Sequence, residues 1–185
     1  DAHRFAERVL QEFPDASGDL IVTLRSGQLV VRAFQHAFLF ALVAIVALIA
    51  LHTRSLKDTG LVMLPLLLAA SCTAASMVAF DINFNFANII ALPLLLGYGV
   101  NNGIHVVHRV RHLAPGEVFL ETSTARAVLF SSLTTICSFG TLSISPHAGT
   151  ASMGVVLTIG LAFTLLATLV ALPAFIQTEG VKRKI

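Results

Sequence analysis

Residues 85–112 read NFANIIALPLLLGYGVNNGIHVVHRVRH. An apolar run opens the stretch and a basic end at Arg109 and Arg111 closes it. Crossing the hydrocarbon core of a bilayer takes about 20 mainly apolar residues, and the run is long enough. Pro93, Gly97, Gly99 and Gly103 interrupt it, a pattern that membrane helices tolerate because neighbouring helices re-satisfy the backbone. Gly99 and Gly103 form a small-x-x-x-small pair that lets another backbone approach, while Pro93 removes one intrahelical donor and invites a kink. Asn101 and Asn102 place two amides inside the run, where each must face protein or a wet cavity.

Working outward, comparable runs recur at 33–52, 60–80, 126–145 and 151–176, which with 85–108 makes five expected spans. Hydrophobic residues are 56% of the chain and charged ones 12%, against roughly 25% charged in a soluble domain. The expected fold is an all-α membrane bundle. Arg54, Lys57, Arg109, Arg111, Arg126, Lys182, Arg183 and Lys184 all fall on one side of an alternating path. The two loops on the other side, near Asp81 and across SPHAGT, carry no Lys or Arg. The positive-inside rule makes the basic side cytoplasmic, with Arg32 the one charge pulling against that assignment.

Residues 1–32 differ from the rest. Phe5, Val9, Leu10 and Phe13 recur at helical spacing until Pro14, predicting a short amphipathic helix. DLIVTL at 19–24, closed by Arg25-Ser26-Gly27, predicts a strand. Together they suggest the end of a periplasmic α/β domain, and 177–185 a basic cytoplasmic tail. The chain has no initiator Met and no signal peptide, so a piece of a longer polypeptide is expected. Cys72 and Cys137 fall inside apolar runs and are expected to be buried without a disulfide.

Asn101, His105, His108 and His112 are spaced i, i+4, i+7 and i+11 and share one helix face. One reading is a hydrated proton path in which His105 titrates near neutrality. The other makes the amides interhelical hydrogen-bond partners and leaves the histidines at the interface. His105 and His108 have metal-like spacing but no visible third ligand, so neither a metal nor a cofactor is expected. The fourth span, AVLFSSLTTICSFGTLSIS at 127–145, is rich in hydroxyls, with Ser131, Thr135 and Ser138 at helical spacing. Such groups ordinarily bond their own backbone, yet they are also the obvious partners for Asn101 and Asn102. No phosphate loop, HExxH or GxSxG is present, and pairing Ser132 with His105 as a protease lacks a nucleophile motif, so an enzyme is not expected.

LPLLLGYGVNNGIHVVHRVR at 92–111 resembles the fourth and tenth helices of the resistance-nodulation-division superfamily, in particular its mycobacterial membrane protein large branch. NFNFANIIALPLLLG at 83–97 and ARAVLFSSLTTICSFGTLSISPHAGTASMG at 125–154 look closer still to its hopanoid-associated exporters. The resemblance implies a twelve-helix protein in two pseudo-repeats in the bacterial inner membrane, of which this chain supplies one set of five helices, with the second repeat preferred. It also implies proton-driven export of a lipid or other hydrophobic substrate toward the outer membrane, homo-oligomers, contact with membrane lipids and the missing half, and no nucleic acid. The family pattern carries an Asp at position 101 and a Tyr at 102, where this chain has Asn101 and Asn102. This half therefore lacks that carboxylate: either its amides serve one elsewhere, which the hydroxyl stripe of the fourth span fits, with Thr134 and Thr135 nearest to the family's relay Thr, or the coupling is altered or lost. The alternatives implied are a non-pumping, sterol-sensing-like lipid sensor or scaffold and a multidrug efflux component.

Overall fold

The computed structural model describes Val9 and residues 19–182, apart from 86 and 115. Helix α1 runs Asp19–Thr53, α2 Leu56–Ala79, α3 Ala91–Arg111, α4 Ser123–Gly140, α5 Ala148–Leu166 and α6 Leu172–Lys182. Single tight turns at Asn88–Ile90 and Thr141–Ile144 extend α3 backward and α4 forward. A π turn, Ala167–Ala171, joins α5 to α6. Five helices are long and apolar enough to cross a membrane: Leu29–Leu51, Leu56–Ala79, Asn88–Arg111, Ser123–Ile144 and Ala148–Gln177. The protein is a multi-pass, all-helical membrane bundle.

The strand expected at 19–24 is not formed: those residues open α1, which continues unbroken past residue 33 to Thr53. The described residues contain no strand to pair with, and a helix satisfies its backbone within itself. The described part of the lead-in therefore shows no α/β domain. The amphipathic helix expected before Pro14 lies outside the described residues except for Val9, and so does the tail beyond Lys182.

Chemistry at the helix ends explains why the connections are short. Arg54 takes a left-handed φ of 49° and its N–H returns to Ala50 O at 2.9 Å, closing α1. Ser55 caps α2 by accepting from Asp58 N at 3.3 Å. Asp81, also left-handed, ends α2 in a Schellman arrangement in which Ile82 N donates to Met77 O at 2.8 Å. The connection that follows is tied by amides: Asn88 Oδ1 accepts from Asn85 N at 2.8 Å, and Asn88 Nδ2 donates to Asn83 O and to Ser152 Oγ on α5, each at 2.9 Å. Thr122 starts α4 by accepting from Ala125 N at 3.2 Å.

The last span is the centre of the bundle. Half of its most apolar window is buried (50%), against 11% for the fourth span and 6% for the first. Close backbone approach locates the crossings. A Cβ on Gly154 would meet Ser143 N at 2.6 Å and Leu142 C at 2.8 Å, and one on Gly160 would meet Leu95 Cδ1 at 2.5 Å. On α3, a Cβ at Gly103 would stand 3.1 Å from Val62 Cγ1 and 3.3 Å from Val62 O, and one at Gly99 would overlap the end of Leu66. Gly97 faces open space. Pro93 occupies the first turn of α3, where its N–H has no helical partner to lose, so it begins the helix and does not interrupt it. Pro173 is different. Its ring would collide with the carbonyl four residues back, and the π turn covering that carbonyl gives it room. Cys72 and Cys137, expected inside, are free and exposed on the outer faces of α2 and α4, where lipid or further protein is as apolar a setting as the core.

Candidate functional site: a polar face on the third span

Successive helix positions are about 100° apart, and that rotation separates the two amides. Asn102 turns inward and is buried, whereas Asn101 is exposed on the side toward α4. Asn102 Nδ2 finds no hydrogen-bond partner among the described residues. A buried donor left unmade costs about 1–3 kcal/mol, so this atom marks a place built for something else. It borders a cleft of about 430 Å³ lined by Asn101, Asn102, His105, Ser123, Thr124 and Ser131, with Ala127 and Val128 as its apolar wall.

The hydroxyls of α4 divide into two sets. Thr134 Oγ1 donates to Phe130 O, Thr135 Oγ1 to Ser131 O and Ser138 Oγ to Thr134 O, each at 2.8 Å. These three side chains, singled out from the sequence, satisfy their own helix and do not line the cleft. Ser131 does line it, one turn nearer the basic end. Ser132 is fully buried and accepts from Tyr98 OH at 2.7 Å, bridging α3 and α4. The sequence gives no periodic signal for that bridge; the presence of only one Tyr in the chain is its sole hint.

Along α3 the histidines follow the same exposed face. His105 lines the α3–α4 cleft and also a second cleft of about 510 Å³ at the basic end, shared with Thr53, Asp58, His108, Arg111 and His112. The His108 and His112 rings stack with centroids 4.5 Å apart, and His112 Nδ1 lies 2.8 Å from His108 O. Asp58 in the first turn of α2 forms an ion pair with Arg111 in the last turn of α3. Each charge complements its helix dipole. The sequence marks Arg111 only for orientation and gives Asp58 no role, because their partnership depends on the α2–α3 crossing. Arg109 pairs instead with Glu117 in the following loop. No group of His, Cys, Asp and Glu among the described residues is placed to hold a metal.

Residues 6–178 match the family described as protein export membrane protein SecD/SecF, C-terminal. The chain is 43% identical over 171 residues to the hopanoid transporter HpnN of Rhodopseudomonas palustris, covering 92% of this chain and 20% of that protein. It is 38% identical over 179 residues to the hopanoid transporter HpnN of Burkholderia multivorans, covering 97% of this chain and again 20% of the relative. A putative membrane protein of Methanocaldococcus jannaschii is 30% identical over 145 residues, 75% of this chain and 37% of its own length. The chain thus spans about a fifth of the length of the two hopanoid transporters it matches.

Proposed function

The chain belongs to the SecD/SecF C-terminal family of export membrane proteins, a transporter family and not an enzyme family, and from that premise we propose that it is one five-helix unit of a proton-driven lipid exporter. The likeness to two relatives named hopanoid transporters supports hopanoids as the cargo, and the direction in this proposal is from the inner membrane toward the outer. In this reading the basic ends at Arg54, Arg109 and Lys182 are cytoplasmic, and the turn at Asp81 faces the periplasm.

The observation that carries the mechanism is the buried, unpartnered Asn102 Nδ2 beside an open polar cleft. We assign its partner to a carboxylate on a part of the polypeptide outside this chain. Asn101 and Asn102 are neutral donors, and donors favour the ionised form of a carboxylate and hence proton release. Ser123, Thr124 and Ser131 line a hydrated cleft, and His105, common to both clefts, connects it to the basic end. Protons reach or leave the carboxylate by that route, and its change of charge alters how tightly the two halves hold each other. Thr134, Thr135 and Ser138, bonded to their own helix, stabilise α4 in this scheme.

The test is transport by the full-length protein in a deletion strain, read as hopanoid retained in the inner membrane. Asn101→Leu removes a donor and lowers transport steeply while insertion is unchanged. Asn101→Asp sustains transport with a shifted pH dependence, because a second carboxylate competes for the same proton. Normal transport by both Asn101→Leu and Asn102→Leu combined with loss in His105→Ala would refute the amide assignment and route the proton through histidine alone. Indifference to all three changes would make this unit a scaffold.

A further inference from the structure

The second cleft, at the basic end between α1, α2 and α3, is not needed by the amide mechanism. Its composition is graded along the helix axis. Ile104, half-buried over the fully packed Val62 and Val107, gives the lining its accessible apolar side, while His108, Arg111 and His112 lie at the end of the span. Apart from His105 at its inner end, the lining becomes more polar toward the end of the span, the direction in which a phospholipid does the same.

Charge decides which phospholipid. Arg111 is held by Asp58, which is mostly buried, whereas the Arg111 side chain remains 39% exposed. A guanidinium has five donors, and one carboxylate partner leaves several of them available. Asp58 thus fixes Arg111 across the mouth of the slot, so little side-chain freedom is lost when a ligand binds. Arg54 and Lys57 directly follow and precede the lining residues Thr53 and Asp58 in the chain, so with Arg111 this end of the cleft has more cations than the single lining carboxylate of Asp58, while Arg109 is taken by Glu117. His108, His112 and Thr53 add further hydrogen-bonding groups, and His105 closes the inner end. Basic pockets between membrane helices at headgroup depth suit anionic lipid headgroups.

We infer that this slot is a binding site for an anionic phospholipid, its phosphate on Arg111 and the His108–His112 pair and the start of its acyl chain against Ile104. The lipid is resident and distinct from the exported cargo. The site stands whether or not the amide cleft couples to protons.

The experiment reconstitutes the full-length transporter in nanodiscs of phosphatidylcholine containing a minor fraction of phosphatidylglycerol with a photoreactive group near the top of its acyl chain. Cross-linked peptides are mapped by mass spectrometry, with a phosphatidylcholine probe of the same design in parallel. The expected label falls within 104–112, favours phosphatidylglycerol, drops about fivefold or more in Arg111→Gln, and is restored in part by Arg111→Lys. Asp58→Asn, which keeps the cation and frees it, gives an intermediate loss. Equal labelling by both probes would reduce the slot to ordinary lipid-facing surface and overturn the proposal. So would labelling that survives Arg111→Gln, absence of label in 104–112, or competition by millimolar inorganic phosphate, which would mark a soluble-anion site.

Discussion

Replacing Gly154 by Ala adds one methyl group where two backbones touch. The new Cβ would lie 2.6 Å from Ser143 N and 2.8 Å from Leu142 C, while ordinary contact begins near 3.4 Å, so about 0.8 Å of separation must be found. Both obstructing atoms are main chain in the tight turn that ends the fourth span, and neither can rotate aside. The helix α5 must move, and overpacking of this kind costs about 1–3 kcal/mol. Alanine's intrinsic helix preference offsets about 1 kcal/mol, which leaves the substitution neutral at best and otherwise destabilising. Gly97→Ala is the matched control: nothing lies within 4 Å of its added methyl group, so only the helix preference acts and stability rises or holds. Thermal stability in detergent, followed by the loss of the monodisperse peak in size-exclusion chromatography, compares the two. A lower midpoint for Gly154→Ala and an unchanged or higher one for Gly97→Ala is the expected pair. Equal midpoints would refute the α5–turn contact and the reasoning built on it.

Tyr98→Phe leaves Ser132 Oγ buried without its donor and costs about 1–3 kcal/mol, and a double-mutant cycle with Ser132→Ala should recover most of that loss as coupling energy. Asn88→Ala breaks hydrogen bonds to Asn83, Asn85 and Ser152 at once, and protease cutting between 82 and 88 should rise in the variant; unchanged cutting would show that the connection holds without its amide. With Cys72 and Cys137 replaced, a thiol at position 147 should label from the periplasm and one at 114 should not, and the reverse pattern would invert the proposed orientation.

The five spans were legible in the sequence because membrane burial imposes a length on every one of them, and each falls within a few residues of its expected place. The lead-in was not. DLIVTL carries β-branched residues that favour a strand, but such preference decides little without a partner strand, and continuity with the apolar helix after it decides more. The stripe on α3 was legible as a face, since four residues at helical spacing must share one. What lay across from it was not. Ser131 and Thr135 share a face of α4 by spacing, yet only Ser131 reaches the cleft, because the crossing with α3 opens toward the basic end. The same limit hid the Asp58–Arg111 and Tyr98–Ser132 pairs, whose partners are brought together only by the way helices cross.

The π turn before Pro173 carries one residue more than an α-helical turn needs, and the wider turn absorbs that residue while leaving room for the proline ring. Removing one residue from Ala167–Ala171 would close the wide turn into an ordinary α-helical one and leave the buried Leu172 near its present phase, but the ring of Pro173 would then meet the carbonyl four residues back. Insertions and deletions in homologous chains should therefore avoid this span's interior, although it touches neither cleft. Its length is constrained as tightly as a catalytic residue's identity, and a count of hydrophobic positions would never reveal it.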